Sequence, residues 1–90
     1  MSVRVEIPSP LREHTSGLTE VPVSGGTVRA ALDDLVRQFP TLGPKLFEGG
    51  KLRPYINVFV NDEDIRYLDD MQTPVADGQV VAVIPAVAGG

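Results

Sequence analysis

The side chains of this chain offer little material for catalysis. The 90 residues contain no cysteine, which excludes a catalytic thiol, a cysteine-ligated cluster and a disulfide framework. The one histidine, His14, lies in a polar stretch with Arg, Thr and Ser neighbours, where we predict a solvated side chain. A single histidine cannot form a histidine-rich metal cluster. We therefore expect no intrinsic catalytic residue, no metal and no enzymatic activity.

Two short motifs resemble ligand-binding loops without completing one. Gly25-Gly26-Thr27 opens a predicted helix, whose N-terminus could attract an anion, but neither G-x-G-x-x-G nor a following lysine is present. Asp62, Glu63 and Asp64 are acidic, yet a calcium loop starting at Asp62 needs glycine where Tyr67 stands. Neither segment predicts a phosphate or calcium site.

The acidic residues are concentrated in one segment. Residues 62–70 contain five acids and one base, a sum of −4, whereas the remaining 81 residues hold seven acids and seven bases. The whole net charge of −4 therefore lies in this stretch, and it disfavours nucleic acid as a partner. Two interpretations stay open: a solvated turn that keeps a small protein soluble, and an acidic patch that steers a basic partner.

The last residues carry the remaining unusual chemistry. After a predicted strand over residues 79–85, the sequence continues through Ala86 to Gly89-Gly90. Five residues reach at most about 17 Å, and glycines without Cβ atoms can pass a channel that excludes other side chains. An accessible terminal carboxylate is a group on which another enzyme can act, although ordinary fraying of a terminus is the simpler interpretation of the pattern alone.

Alternation of apolar and polar residues predicts most of the strands that must carry this end. Strands are expected over residues 2–7, 18–23 and 55–61, with a loop at 11–16 and a flexible connection at 48–51. A short fourth strand is expected at 64–67. The last strand, 79–85, is so rich in valine that alternation does not assign its buried face. The core-facing residues of the first and third strands are predicted to be Val3, Val5, Ile7, Ile56, Val58 and Val60.

One amphipathic helix stands out between the second and third strands. Thr27 is a suitable N-cap, Pro40 ends the helix, and a short helical turn is expected around Pro44. The apolar stripe consists of Val28, Ala31, Leu32, Leu35, Val36 and Phe39, at helical spacing. The predicted fold is thus α+β: one main helix on a mixed sheet of about five strands, in a single domain over residues 1–90. Placing the first and last strands side by side would give a β-grasp.

Three segments resemble the ubiquitin-like sulfur carriers of the MoaD and ThiS group. They are residues 57–68 (NVFVNDEDIRYL), 73–78 (TPVADG) and 84–90 (IPAVAGG). The opening, Ile7-Pro8 and residues 11–15, is similar to the branch of CysO-type carriers of actinobacterial cysteine biosynthesis. The likeness spans nearly the whole chain and is most specific in its last third.

The resemblance implies a β-grasp fold and a chemically modified C-terminal residue. Gly90 would be adenylated by an E1-like adenylyltransferase and converted to a thiocarboxylate, with Gly89 as its unhindered neighbour. Ala86, Val87 and Ala88 would form a flexible tail that threads into partner enzymes. No cofactor would be bound, because ATP is used by the activating enzyme. The protein would be a cosubstrate that donates sulfur rather than an enzyme.

The resemblance also implies a set of partners. They are the E1-like activating enzyme, a sulfur acceptor such as a cysteine synthase (first choice) or a molybdopterin-type synthase (second), and a metalloprotease. Neither a membrane nor nucleic acid is expected as a partner, and the lack of cysteine and of a signal-peptide pattern favours a cytoplasmic location. Two alternatives remain open: a β-grasp interaction module with no chemistry of its own, and a ubiquitin-like modifier conjugated to lysine.

A candidate docking surface lies on the third strand and the turn after it. Phe59 is expected on the face opposite Val58 and Val60, and the acidic residues Asp62, Glu63 and Asp64 follow directly. An equally plain interpretation is that Tyr55 and Phe59 cover each other on a solvated face.

Overall fold

The computed structural model describes residues 2–86 as seven strands, two α-helices and several 3-10 turns. The strands are β1 (Val3–Glu6), β2 (Glu20–Val23), β3 (Phe47–Glu48), β4 (Lys51–Leu52), β5 (Ile56–Val60), β6 (Glu63–Asp64) and β7 (Val80–Pro85). The helices are α1 (Val28–Gln38) and α2 (Gly43–Leu46), and the 3-10 turns are Ser9–Thr15, Pro40–Leu42, Ile65–Tyr67 and Asp70–Gln72.

Five of the strands form one mixed sheet in the order β2-β1-β7-β5-β6. The first and last strands lie side by side at its centre and run parallel, with Val5 opposite Val81, while every other pairing is antiparallel. A parallel pair needs a long crossover connection, and the chain between β1 and β7 supplies it with α1 and the other strands. This arrangement confirms the predicted α+β class and the β-grasp topology.

Helix α1 forms where an N-cap residue is followed directly by apolar side chains at helical spacing. Thr27 has extended backbone angles, and its Oγ1 accepts a hydrogen bond from the Ala30 N–H at 3.1 Å, which satisfies one of the free donors of the first turn. Val28, Ala31, Leu32 and Leu35 are buried against the sheet. The helix ends before Pro40, as predicted, because the proline ring cannot follow another helical turn.

The sheet has one buried face, which we call the inner face, and one face that α1 does not cover, the outer face. Ile56, Val58 and Val60 point inward as predicted. Alternation along β7 is now resolved: Val81 and Val83 are buried, whereas the side chain of Ile84 is 48% exposed on the outer face. The apolar residue at position 84 conceals this alternation in the sequence, because it lies on the exposed side.

Several predicted boundaries near the edges of the fold are wrong. Residues 11–16 do not form an irregular loop, since a 3-10 turn spans Ser9–Thr15. The second strand begins at Glu20 rather than Leu18. The strand expected at 64–67 is instead β6 at Glu63–Asp64. A 3-10 turn follows it, and the Asp64 carboxylate caps this turn by accepting a hydrogen bond from the Arg66 N–H.

The connection at 48–51 is also more ordered than predicted. Gly49 and Gly50 both have positive φ, 60° and 81°, and join β3 and β4 into a two-residue hairpin, a conformation that glycine adopts without strain. Arg29 of α1 holds the hairpin by donating to the Gly50 carbonyl at 2.7 Å and by lying 4.9 Å above the Phe47 ring.

Among the helices of the described part of the chain, none is long and apolar enough to cross a membrane.

Candidate functional site

The outer face of the sheet combines an apolar end with a charged end. Its apolar residues include Tyr55 and Ile84, 46% and 48% exposed, and the half-buried Phe59. Phe59 lies opposite Ala82 on one side and Asp64 on the other, and Ile84 lies opposite Asn57. The charged side chains at the other end come from β1, β2, β6 and the turn after β5, and they are Arg4, Glu6, Glu20, Asp62 and Asp64.

The turn after β5 is held in an uncommon backbone conformation. Asn61 and Asp62 both have positive φ, 48° and 71°, the left-handed region that asparagine and aspartate tolerate better than most residues. Asn61 fixes the turn to β7 twice. Its N–H donates to the Val80 carbonyl at 3.1 Å, and its Oδ1 accepts from the Val80 N–H at 3.3 Å. Asp62 is therefore presented at a defined place beside β7.

The predicted docking residues do not all share one surface. Phe59 and Asp64 are cross-strand neighbours on the outer face, and Asp62 lines an outer-face groove with Glu6. Glu63 instead pairs with Val60, whose side chain is buried, and it lines a different depression with Leu68, Thr73 and Pro74. Glu63 thus turns away from Asp62 and Asp64.

Asp64 is the acid of this group whose negative charge is balanced by a neighbouring arginine. Arg66 donates to it through Nη2 at 2.7 Å and through its backbone N–H at 2.9 Å, and the Asp64 side chain is only 11% exposed. These hydrogen bonds, first from the Arg66 side chain and then from its backbone, lower the pKa of the Asp64 carboxyl below its usual value of 3.8. Asp64 therefore shapes the turn and contributes little net charge to the surface.

Ala86, the last described residue, lies next to the apolar end of the outer face. The Ala86 N–H donates to the Tyr55 carbonyl at 2.6 Å, which extends the β5–β7 ladder by one residue beyond Pro85. The predicted modified residue Gly90 and the tail residues Val87, Ala88 and Gly89 lie outside the described residues. The ladder nevertheless fixes the point on the sheet from which they continue.

His14 lies away from this face. Its Nδ1 is 3.0 Å from the Thr41 Oγ1, so the half-buried side chain bridges two 3-10 turns. Within residues 2–86, no group of three or more His, Cys, Asp and Glu side chains is placed to hold a metal ion.

The sequence places Tyr55 beside Phe59 on a solvated face, but it does not identify Glu6 and Ile84 as parts of the same surface. Glu6 and Ile84 occupy non-core positions of β1 and β7, which alternation indicates for β1 but not for the valine-rich β7. What alternation could not supply is the strand order that brings β1, β7 and β5 together. The signal for Glu6 was its place in β1, and only the β1–β7 pairing turns that place into a neighbour of Ala82.

Helix α1 packed against a β2-β1-β7-β5-β6 sheet, with a central parallel pair of first and last strands, defines a ubiquitin-like β-grasp protein. The model of the ThiS family matches residues 5–90, and the chain belongs to that family. This membership confirms the resemblance to the MoaD and ThiS group.

Individual relatives agree with this assignment over the full length. The chain is 42% identical over 93 residues to the sulfur carrier protein CysO of Mycobacterium tuberculosis, with 100% of both chains covered. It superposes with a TM-score of 0.91 and 40% identity on the crystal structure of the Amycolatopsis orientalis BexX/CysO complex, covering 99% of this chain and 100% of that one. The small archaeal modifier protein 1 of Methanosarcina acetivorans gives a TM-score of 0.88 at 32% identity, covering 99% and 96%. The likeness to CysO-type carriers predicted from the opening residues is therefore confirmed.

Proposed function

We propose that this protein is a sulfur carrier whose C-terminal glycine, Gly90, is activated and thiolated by partner enzymes. The observation that carries the proposal is the full-length similarity to the sulfur carrier CysO, at 42% identity, in a chain that ends in Gly89-Gly90. The described residues lead the chain to this end along the central strand β7 and the Ala86–Tyr55 hydrogen bond.

The proposed chemistry begins with an unreactive group. An α-carboxyl group has a pKa of roughly 3.3 to 3.7 in model peptides, so it is ionised at neutral pH and is a poor electrophile. An E1-like adenylyltransferase joins a carboxylate oxygen of Gly90 to the α-phosphorus of ATP and releases pyrophosphate. Hydrosulfide then attacks the acyl carbon, the bond to AMP breaks, and a thiocarboxylate remains.

The carrier itself would supply reach and access rather than catalysis. Residues 87–90 span at most about 14 Å when fully extended. The two terminal glycines have no side chains to obstruct an enzyme channel. Lack of cysteine is also favourable, because no side-chain thiol of the carrier can divert the activated acyl group.

Two classes of partner follow from the proposal: the activating enzyme, and an acceptor that takes the sulfur, for which a cysteine synthase is preferred over a molybdopterin-type synthase. Crystallisation of a CysO from Amycolatopsis orientalis in complex with BexX supports stable binding of such carriers to another protein. The docking surface would be the outer face, with Phe59 and Asp62 as members. Glu63 and the paired Asp64 would contribute less.

The proposal is tested by mass spectrometry. The purified protein is incubated with the adenylyltransferase, ATP and sulfide, and the intact mass and the C-terminal peptide are measured. The expected result is the replacement of one oxygen by sulfur on Gly90, dependent on ATP. An unchanged C-terminal peptide, under conditions where a CysO protein is thiolated, would contradict the proposal.

A second function uses the same activation. The similarity to small archaeal modifier protein 1, at 32% identity, favours conjugation of Gly90 to a lysine amine as the competing fate of the acyl-adenylate. Isopeptide-linked adducts recovered from cells, ending in the Gly89-Gly90 remnant after digestion, would identify it.

A further inference from the structure

The charged end of the outer face contains a groove that no part of the described chain fills. It has a volume of about 280 Å³ and is lined by Glu6, Asn61, Asp62, Val80 and Ala82. Val80 and Ala82 belong to β7, and the register places Ala82 directly between Glu6 and Phe59. The groove thus crosses the central strand, with an apolar floor and a carboxylate from a different element on each side.

The carboxylates beside the groove differ in their ion pairing. Glu20 lies 3.7 Å from Arg4, and Asp64 lies 2.7 Å from Arg66. Glu6 and Asp62 form no ion pair with any of the residues from 2 to 86, and both are exposed. The unbalanced negative charge of the outer face is therefore located at the two sides of the groove.

The position of Glu6 is unfavourable for the isolated protein. It lies directly opposite Glu20 in the β1–β2 register, and like charges at facing positions of an antiparallel pair destabilise a sheet. Arg4 forms its ion pair with Glu20, and no ion pair of the described residues includes Glu6. A positive charge supplied from outside would relieve this repulsion.

We propose that the groove binds an arginine side chain of the activating enzyme. The aliphatic stem would lie on Val80 and Ala82, while the guanidinium would bridge the carboxylates of Glu6 and Asp62. An arginine fits better than an anion or an apolar residue because the sides are anionic and the floor is apolar, and its planar fork can donate to both sides at once. The inference rests on the proposed function, since it names the activating enzyme as the partner.

This contact would orient the carrier on its partner. The groove is at one end of the outer face, and the exposed Tyr55 and Ile84 are at the other, where the Ala86 N–H bonds to the Tyr55 carbonyl. From Ala82 to Ala86 a strand extends about 13 Å. An arginine held in the groove, together with apolar contacts at Tyr55 and Ile84, would fix the orientation of the carrier on the enzyme. The terminal residues would then enter the enzyme from one direction.

The test compares carriers with and without the two free carboxylates. The double variant Glu6→Gln, Asp62→Asn keeps side-chain size, and asparagine also tolerates the left-handed conformation at position 62. The matched control is Glu13→Gln, an exposed acid on the 3-10 turn Ser9–Thr15, away from the sheet. Binding to the activating enzyme is measured by titration at low and high salt, with thermal unfolding of each variant recorded alongside.

We expect the double variant to bind at least about tenfold more weakly at low salt and to lose most of the salt dependence of the wild type, because charge pairs across an interface are screened. Glu13→Gln should bind like the wild type. Ile84→Ser should weaken binding while preserving the salt dependence, since it removes only apolar contact. The melting temperature of the double variant should equal that of the wild type or lie slightly above it, because the Glu6–Glu20 repulsion is lost.

The double variant binding as tightly and as salt-dependently as Glu13→Gln would overturn the inference, as would salt-independent or undetectable binding by the wild type. Self-association of the wild type that the double variant abolishes, measured by sedimentation velocity, would assign the groove to a second copy of the chain and also overturn it. Failure of the proposed function gives a different result: the wild type binds but gains no sulfur, and the affinities still decide the role of the groove.

Discussion

Among the glycines of residues 2–86, Gly25 is the one at which an added methyl group should be most disruptive. Its φ is +153°, and a Cβ there would lie 2.6 Å from the Ala31 nitrogen and 2.7 Å from the Ala30 carbonyl carbon, both backbone atoms of α1. Because backbone cannot move aside as a flexible side chain can, we expect Gly25→Ala to destabilise the fold by more than about 1 kcal/mol. Chemical denaturation monitored by circular dichroism measures this loss.

The neighbouring Gly26 provides the matched control. A Cβ at position 26 would meet no atom within 4 Å. We therefore expect Gly26→Ala to change the free energy of unfolding by no more than about 0.5 kcal/mol, the range of substitutions away from special features. Equal stabilities of the two variants would show that the close approach of Gly25 to α1 is not what requires glycine.

Asp34 ties α1 to the end of β2 and should make stability depend on pH. Its Oδ2 accepts from the Ser24 N–H and from Gln38 Nε2, each at 3.0 Å, and these bonds, the backbone one first, lower the pKa of Asp34 below its usual 3.8. A carboxyl whose pKa is lower in the folded state stabilises that state fully above the unfolded pKa, and the effect disappears as the pH falls through the folded pKa.

The change Asp34→Asn should therefore lower the urea midpoint at neutral pH. The difference in urea midpoint between the variant and the wild type should narrow as the pH falls below the usual value of 3.8. At that pH the wild-type carboxyl becomes protonated and, like asparagine, carries no charge. Urea titrations at several pH values on either side of this point measure the effect. A difference that stays constant across the series would mean that packing, and not the charged hydrogen bonds, explains the role of Asp34.

At the scale of elements, the start of α1 depends on one side-chain hydrogen bond. Thr27 Oγ1 accepts from the Ala30 N–H, while the Val28 N–H donates to the Thr73 carbonyl, so two donors of the first turn are satisfied from outside the helix. We expect Thr27→Ala to cost about 1 kcal/mol of unfolding free energy and Thr27→Ser, which keeps the acceptor, to recover most of it. Guanidinium denaturation compares them, and equal losses for serine and alanine would assign the effect to the missing methyl group.

Alternation and helical spacing predicted the elements that have one polar and one apolar side. Helix α1 and strands β1 and β5 were predictable because burial on one side and water on the other select the residue types. In β7 this relation fails, since Ile84 is apolar on the outer face and pairs with Asn57 there. The β3–β4 hairpin was missed because each strand has only two residues, too few to alternate, although Gly49-Gly50 is a recognised turn pair.

The candidate surface was predictable only in part for a similar reason. The positions of Phe59 and Asp62, in and just after β5, predict their place on this surface. The position of Glu6 does not, because the parallel β1–β7 pairing that places it beside the groove joins residues more than 70 positions apart in sequence. Adjacency in sequence places Asp64 with Asp62, whereas the pairing of Asp64 with Arg66 depends on the 3-10 turn at Ile65–Tyr67. Local patterns identify faces, and long-range pairing determines which faces combine.

For the whole molecule, the arrangement separates folding from the proposed chemistry. The hydrogen-bond network of the described residues reaches Ala86 through Tyr55, and the buried core consists of side chains from Val3 to Val83. Removing Gly89 and Gly90 therefore leaves every described core residue in place. We expect this deletion to leave the melting temperature unchanged within about 1 °C, since the last few residues of a domain usually contribute little to its stability.

The same deletion should abolish sulfur transfer while sparing recognition. Because the outer face is intact, the shortened protein should bind the activating enzyme and inhibit thiolation of the wild type competitively, with an inhibition constant within about threefold of the wild-type dissociation constant if the face supplies most of the binding free energy. Intact-mass measurement of the wild type at increasing concentrations of the shortened protein checks this. An inhibitor weakened a hundredfold or more would place the binding free energy in the terminal glycines instead, and sulfur gain by the shortened protein itself would contradict the assignment of Gly90 as the modified residue.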